Sequence, residues 1–216
     1  MNLAIHDLPL FLAAALLVNL TPGPDMLFVA GSSAAQGQRA GVMAALGVGA
    51  GCLLHVALAA VGLSALLAAS ATAFGVVKWV GAVYLVWVGI TMLRAAAARA
   101  ERASAMLPQG VSRVSRVFWQ GAWTNALNPK VALFFLAFLP QFIVPGAPHQ
   151  ALSFLTLGLV FTAGGVAVNL GVALLTDRLR AGLAGRGGSA RVGSWLKRAA
   201  GVLFVGLGLK LALGSR

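Results

Sequence analysis

Asp25 and Lys130 are charged residues placed where charge is costly. Asp25 is the sole acidic residue clearly inside the long apolar stretches of this chain, and Lys130 is the one base clearly buried in them. A charge near the centre of a bilayer costs roughly 2.5–3.5 kcal/mol even on a lenient insertion scale, so an ionisable group there marks a functional site by default. Asp25 can exist as the neutral acid or the carboxylate, which suits a carrier of a proton or of a cationic substrate group. Lys130 suits an anionic one. A purely structural ion pair between them, fixing packing alone, is the plainer reading of the same two residues.

Both stand beside helix breakers. Asp25 closes the segment Asn19-Leu20-Thr21-Pro22-Gly23-Pro24-Asp25, and Lys130 closes Asn125…Asn128-Pro129-Lys130. Proline lacks a backbone N–H and clashes with the preceding turn, so each segment interrupts its helix. A helix that restarts after such a break offers free N–H groups and the positive end of its dipole, where an anion docks readily. A carboxylate-binding helix end near an ammonium-binding aspartate fits a zwitterionic amino acid. Asn19 and Thr21 supply uncharged ligands at the first break; Asn125 and Asn128, whose amides donate and accept, supply them at the second. His55, at mid-span, is either a proton relay or a packed helix contact. Tyr84 opens a further apolar segment beside Lys78, and Asn169 is either interhelical glue or cavity lining.

The elements that hold these residues are membrane helices. Of 216 residues, 60% are hydrophobic and 9% charged, with a mean hydropathy of +0.92, far from the balance of a soluble domain. Apolar stretches at 8–31, 40–67, 74–93, 117–144, 151–175 and 195–213 each approach the ~20 residues that span a bilayer, which predicts six helices in an all-α polytopic protein. Broken backbone at that depth is tolerated only where it is buried in protein or faces a polar cavity. Asp7 precedes the first stretch, with no Lys/Arg-rich leader, so the first helix is expected to stay in the mature protein.

The formal charge of +12 does not point to nucleic acid, because of where it lies. Arg39, the arginines at 94, 99, 102, 113 and 116, and the bases between 178 and 198 fall on one side of the alternating helices, leaving Lys78, Lys210 and Arg216 on the other. That is the positive-inside pattern of a membrane protein, with both termini outside. Cys52 is the only cysteine, which excludes an intramolecular disulfide and a thiolate metal cluster; it is read as a small packing residue. No HExxH, GxSxG, P-loop or Rossmann glycine pattern is present, so neither an enzyme nor a cofactor is expected.

The chain divides into residues 1–94, a cytoplasmic connection at 95–116, and residues 117–216. Each flank holds three predicted spans and opens with a broken one, helices 1 and 4. Matching breaks in two three-helix halves predict an inverted repeat with the binding site between them. Small residues such as Gly41, Gly47, Gly49 and Gly51 fit close helix packing, the tryptophans fit interfacial anchoring, and the Arg/Gly/Ser-rich 176–198 connection reads as a solvated flexible loop. The sequence leaves a homo-oligomer open.

These motifs resemble the lysine exporter superfamily, in particular its homoserine/threonine resistance branch of bacterial amino-acid efflux proteins. The likeness rests on the Asn19–Asp25 segment, Gly41…Gly47 followed by His55, Lys78-Trp79-Val80-Gly81-Ala82-Val83-Tyr84-Leu85 with Gly89, and Phe118…Gly121…Asn125…Asn128-Pro129-Lys130 with Leu139-Pro140-Gln141-Phe142. It implies a six-helix inner-membrane exporter of amino acids driven by the proton gradient, with the two broken motifs at its core. The substrate ammonium would sit on Asp25 and its carboxylate on Lys130 and the N–H groups near Pro129, and protonation of Asp25 would release it after the halves rock. An ion or metal-cation permease would need clustered carboxylates or thiolates, which the chain lacks; the single Cys52 argues against a redox conduit, and the paired breaks argue against a non-transporting scaffold that needs only packed helices.

Overall fold

In the computed structural model, which describes residues 5–63, 79, 83, 90, 114–144 and 149–182, the first apolar run is two helices. Helix α1 (Leu8–Leu20) ends at Thr21, and α2 (Pro24–Gln36) restarts with Pro24 in its first turn. Proline at the first helical position gives up an N–H that has no partner there in any case. The two segments are bent by 48°, and they qualify as a single broken span or a re-entrant loop.

Gly37 ends α2 and begins α3 (Gln38–Leu58), which continues through a π-helical turn, Ala59–Leu63. A lone residue joins the two helices because Gly37 has φ 85°, a conformation costly for a side chain with a Cβ. Helix α4 (Val114–Ala126) begins three residues before the expected start of the fourth span. After a break at Asn128, α5 (Pro129–Leu133) runs on as a π turn, Phe134–Phe138, and a 3₁₀ turn, Leu139–Phe142. Helix α6 spans Gln150–Gly182.

The extent of α6 corrects one expectation. Residues 176–182, read as the start of a flexible loop, continue the helix, since Thr-Asp-Arg-Leu-Arg-Ala contains no Gly or Pro until Gly182. Among the described residues two helices, Gln38–Gly62 and Gln150–Leu179, are each long and apolar enough to cross a membrane, with the bent α1–α2 pair a third where it counts as one span. Tyr84, Lys78, the last expected span and all but three residues of the third lie outside the described residues, so the full count of six and the inverted repeat rest on segments not described. Trp79, Val83 and Ile90, the described residues of the third expected span, are helical and exposed.

Packing follows from what the solvent is. Leu8, Leu12 and Leu16 of α1, Leu53, Leu54 and Leu58 of α3, and Leu159 and Leu175 of α6 are exposed, an arrangement suited to hydrocarbon rather than water. Inside, small residues let backbones meet. A Cβ at Gly47 would stand 2.0 Å from the Phe118 carbonyl oxygen, one at Gly51 2.1 Å from that of Ala122, and one at Gly121 2.6 Å from that of Ala44. So α3 and α4 are in backbone contact, as glycine-bearing membrane helices allow. A cluster of phenylalanines seals the other side: Phe134 stacks on Phe161 with ring centroids 4.5 Å apart, and Phe11 meets Phe142 edge-on at 5.3 Å, fastening α1 and α5 to α6.

Candidate functional site

The two breaks meet. Asp25, in the first turn of α2, and Lys130, in the first turn of α5, are each 7% exposed, and Lys130 Nζ lies 3.6 Å from Asp25 Oδ1. The ammonium is held more closely by backbone: it donates to the carbonyl of Val18 at 3.2 Å and of Thr21 at 3.0 Å. Those carbonyls lie at the end of α1, where helical partners run short, the Val18 carbonyl accepting besides only the cap N–H of Thr21 at 3.2 Å, and where the dipole is negative. Lys130 therefore closes the end of α1 and faces the carboxylate at the start of α2. Gly23 permits this approach, because a Cβ there would lie 2.8 Å from Asp25 Oδ1 and 3.0 Å from Lys130 Nζ.

The asparagines and Thr21 divide into anchors and cavity residues. Asn128 caps α5, its Oδ1 accepting the backbone N–H of Lys130 at 3.0 Å. The N–H groups of Val131 and Ala132 bond to the Asn128 carbonyl, and Pro129 has none. The free N–H groups expected near Pro129 are thus already engaged. Thr21 donates its hydroxyl to the Leu17 carbonyl at 2.7 Å and ends α1 locally. Pro22 lies in the linker and Pro24 opens α2, whose start has no side-chain cap. Asn19 donates to the Phe161 carbonyl at 3.1 Å and fits opposite Gly165, where a Cβ would approach its Oδ1 to 3.0 Å.

His55 is buried, and its Nε2 lies 3.0 Å from the carbonyl oxygen of Asn125. A carbonyl only accepts, so Nε2 carries the proton in this contact. With its ring 5.9 Å from that of Phe135, His55 ties α3 to the end of α4.

Beside the pair is a small cavity walled by Asn19 of α1, Asp25 of α2, Val48 and Cys52 of α3, Asn125 of α4, Val131 of α5, and Phe161, Thr162 and Asn169 of α6. Its volume is about 10 Å³, the room that a single water needs. Cys52 and Thr162, which the sequence placed in no site, touch each other here, Thr162 Oγ1 lying 3.3 Å from Cys52 Sγ. Asn169, for which glue and cavity lining were both open, lines the cavity and donates Nδ2 to the Gly165 carbonyl of its own helix at 3.0 Å. Lys130, Thr21, Asn128 and His55 are not among the lining residues. Among the described residues no group of three or more His, Cys, Asp or Glu could hold a metal ion.

The LysE type translocator family matches residues 16–215 of the chain. The chain is similar to an uncharacterized membrane protein of Pseudomonas aeruginosa, at 35% identity over 99% of its length and 98% of the relative's. It is similar to the homoserine/homoserine lactone efflux protein of Salmonella typhimurium at 35% identity over 94% of each chain. The leucine efflux protein of the same organism is 33% identical over 68% of each chain. No solved structure gives a match.

Proposed function

The chain belongs to the LysE family of translocators, and from that premise we propose that it exports amino acids through a site centred on Asp25 and Lys130. It is a transporter rather than an enzyme, and a multi-pass protein of the bacterial inner membrane. The relatives named for homoserine, homoserine lactone and leucine efflux support an amino acid as cargo.

The observation that carries the reading is the buried pair of opposite charges at the junction of two interrupted helices, beside a polar cavity. An amino acid brings the same two charges. In the empty carrier Lys130 offsets the charge of Asp25 across 3.6 Å without a hydrogen bond to it, which lowers the cost of its desolvation. A zwitterion replaces that internal pair, its ammonium meeting Asp25 and its carboxylate meeting Lys130. Because Asn128 already occupies the start of α5, the uncapped start of α2 is the helix end left for the carboxylate.

The described cavity is too small for a whole amino acid, so loading requires the walls to part. Rocking of two inverted three-helix halves, with α1–α2 and α4–α5 as the broken spans, supplies that movement and exposes the site to each side in turn. A proton entering Asp25 on the outer side removes its hold on the ammonium, and the carrier returns with the pair re-formed. The scheme is the same for a single copy of the chain and for a homo-oligomer.

The test is efflux from cells preloaded with a panel of labelled amino acids, homoserine and leucine among them, with and without the protein. Faster loss of specific amino acids that slows when the proton gradient is collapsed is the expected result. Identical loss in both strains for every amino acid overturns the reading.

A further inference from the structure

Three buried oxygens around the cavity have no hydrogen-bond partner: Oδ1 of Asn125, of Asn169 and of Asp25, the last faced by Lys130 Nζ at 3.6 Å, beyond hydrogen-bond reach. They come from three helices, α4, α6 and α2, and their residues are 3%, 3% and 7% exposed. Buried acceptors are nearly always satisfied, and an unmet one carries the full cost of its desolvation. Three such atoms on residues lining one small cavity therefore point to a ligand.

The kind of ligand follows from counting donors. The set is three acceptors with one negative charge, in a space about the size of a water molecule. A water donates only two hydrogen bonds and leaves one oxygen unmet. A hard divalent cation takes six or more oxygens. An unsubstituted ammonium, –NH₃⁺, brings three donors, one positive charge and about the volume of a water. On the reading of the protein as an amino-acid exporter, we propose that this cavity is the cradle for the cargo's primary ammonium, with Asn125 and Asn169 selecting for an amine that carries no substituent.

Asn125 is well held for that task. Its carbonyl accepts from His55 Nε2 and from the Asn128 N–H at 2.8 Å, which fixes the backbone while the side-chain oxygen stays unengaged. Asn169 is oriented by its bond to the Gly165 carbonyl, which uses Nδ2 and leaves Oδ1 as the unmet atom. Amidation removes the carboxylate's contact with Lys130 but leaves that ammonium bonded to the Val18 and Thr21 carbonyls beside Asp25, so masking the carboxyl group of the cargo matters less than substituting its nitrogen.

Counterflow in proteoliposomes tests this, with labelled leucine or homoserine inside and competitors outside: the parent amino acid, its amide, its N-methyl and its N,N-dimethyl derivative. The amide should compete within about tenfold of the parent, and each N-methyl group should weaken competition about tenfold or more, the scale of an unmet buried acceptor. In Asn125→Leu and Asn169→Leu, at matched protein levels, the ratio between parent and N-methyl derivative should fall toward one, a change that a packing defect does not produce. N-methylation costing no more than amidation overturns the cradle and leaves amino-acid export standing. If neither amino acid exchanges, export of these cargoes falls, and labelled methylammonium competed by methylammonium or tetramethylammonium decides the cradle alone: equal competition overturns it.

Discussion

The ammonium of Lys130 stands 3.6 Å from Asp25 Oδ1, farther than from either of the α1 carbonyls to which it donates. The lysine therefore has two separable tasks, closing the end of α1 and balancing the aspartate. Replacing it with Met removes both and strands a buried carboxylate. Lys130→Met should lower thermal stability in detergent and abolish efflux. Adding Asp25→Asn should recover part of the stability but none of the efflux, with roughly 1 kcal/mol or more of coupling between the two sites. Additive losses of stability would show that the charges do not depend on each other.

Gly23 is needed for the approach of that pair. Its backbone is extended, with φ −137°, so a side chain there is excluded by the neighbouring charges and not by conformation. Gly23→Ala should insert normally and reduce efflux strongly, because its methyl group would occupy space beside Asp25 Oδ1 and Lys130 Nζ. Normal efflux from a correctly inserted Gly23→Ala protein would show that the pair tolerates separation.

His55 distinguishes a proton relay from a positioning residue. As it donates to the Asn125 carbonyl, Gln, which also has an N–H donor, should preserve most efflux at every pH. His55→Leu loses one buried hydrogen bond, worth about 1 kcal/mol, and should lose stability and part of the efflux. If His55→Gln is as inactive as His55→Leu while remaining folded, the ring itself moves protons.

The contact between α3 and α4 makes a prediction about folding alone. Gly47→Ala forces α4 away from α3, since the Phe118 carbonyl lies 2.0 Å from the added carbon, and should cost about 1–3 kcal/mol or more. Gly171→Ala, on α6, meets nothing within 4 Å and should be neutral or slightly stabilising. The comparison is read from melting temperatures of the purified proteins.

Part of this site was legible in the sequence. Pro22, Pro24 and Pro129 marked the breaks because a missing N–H acts locally, and Asp25 and Lys130 stood out because charge is rare among apolar residues. Their pairing followed from matching positions in the two halves. What Lys130 bonds to did not, since the carbonyls of Val18 and Thr21 are backbone atoms more than a hundred residues away. The engagement of the N–H groups after Pro129 was hidden as well, because whether Asn128 caps its own helix or faces a cavity depends on a rotamer. Asn169 was ambiguous and Thr162 did not stand out for another reason: α6 is apolar all round, so its sequence does not reveal which face turns inward.

Counterflow of a labelled amino acid into proteoliposomes, comparing the native protein with Asp25→Asn at equal reconstituted amounts, tests the central claim most directly. The native protein should exchange internal for external amino acid, while Asp25→Asn, inserted and folded, should show only the leak of empty liposomes. Exchange by Asp25→Asn at the native rate would contradict the assignment of Asp25 as the group that holds the cargo.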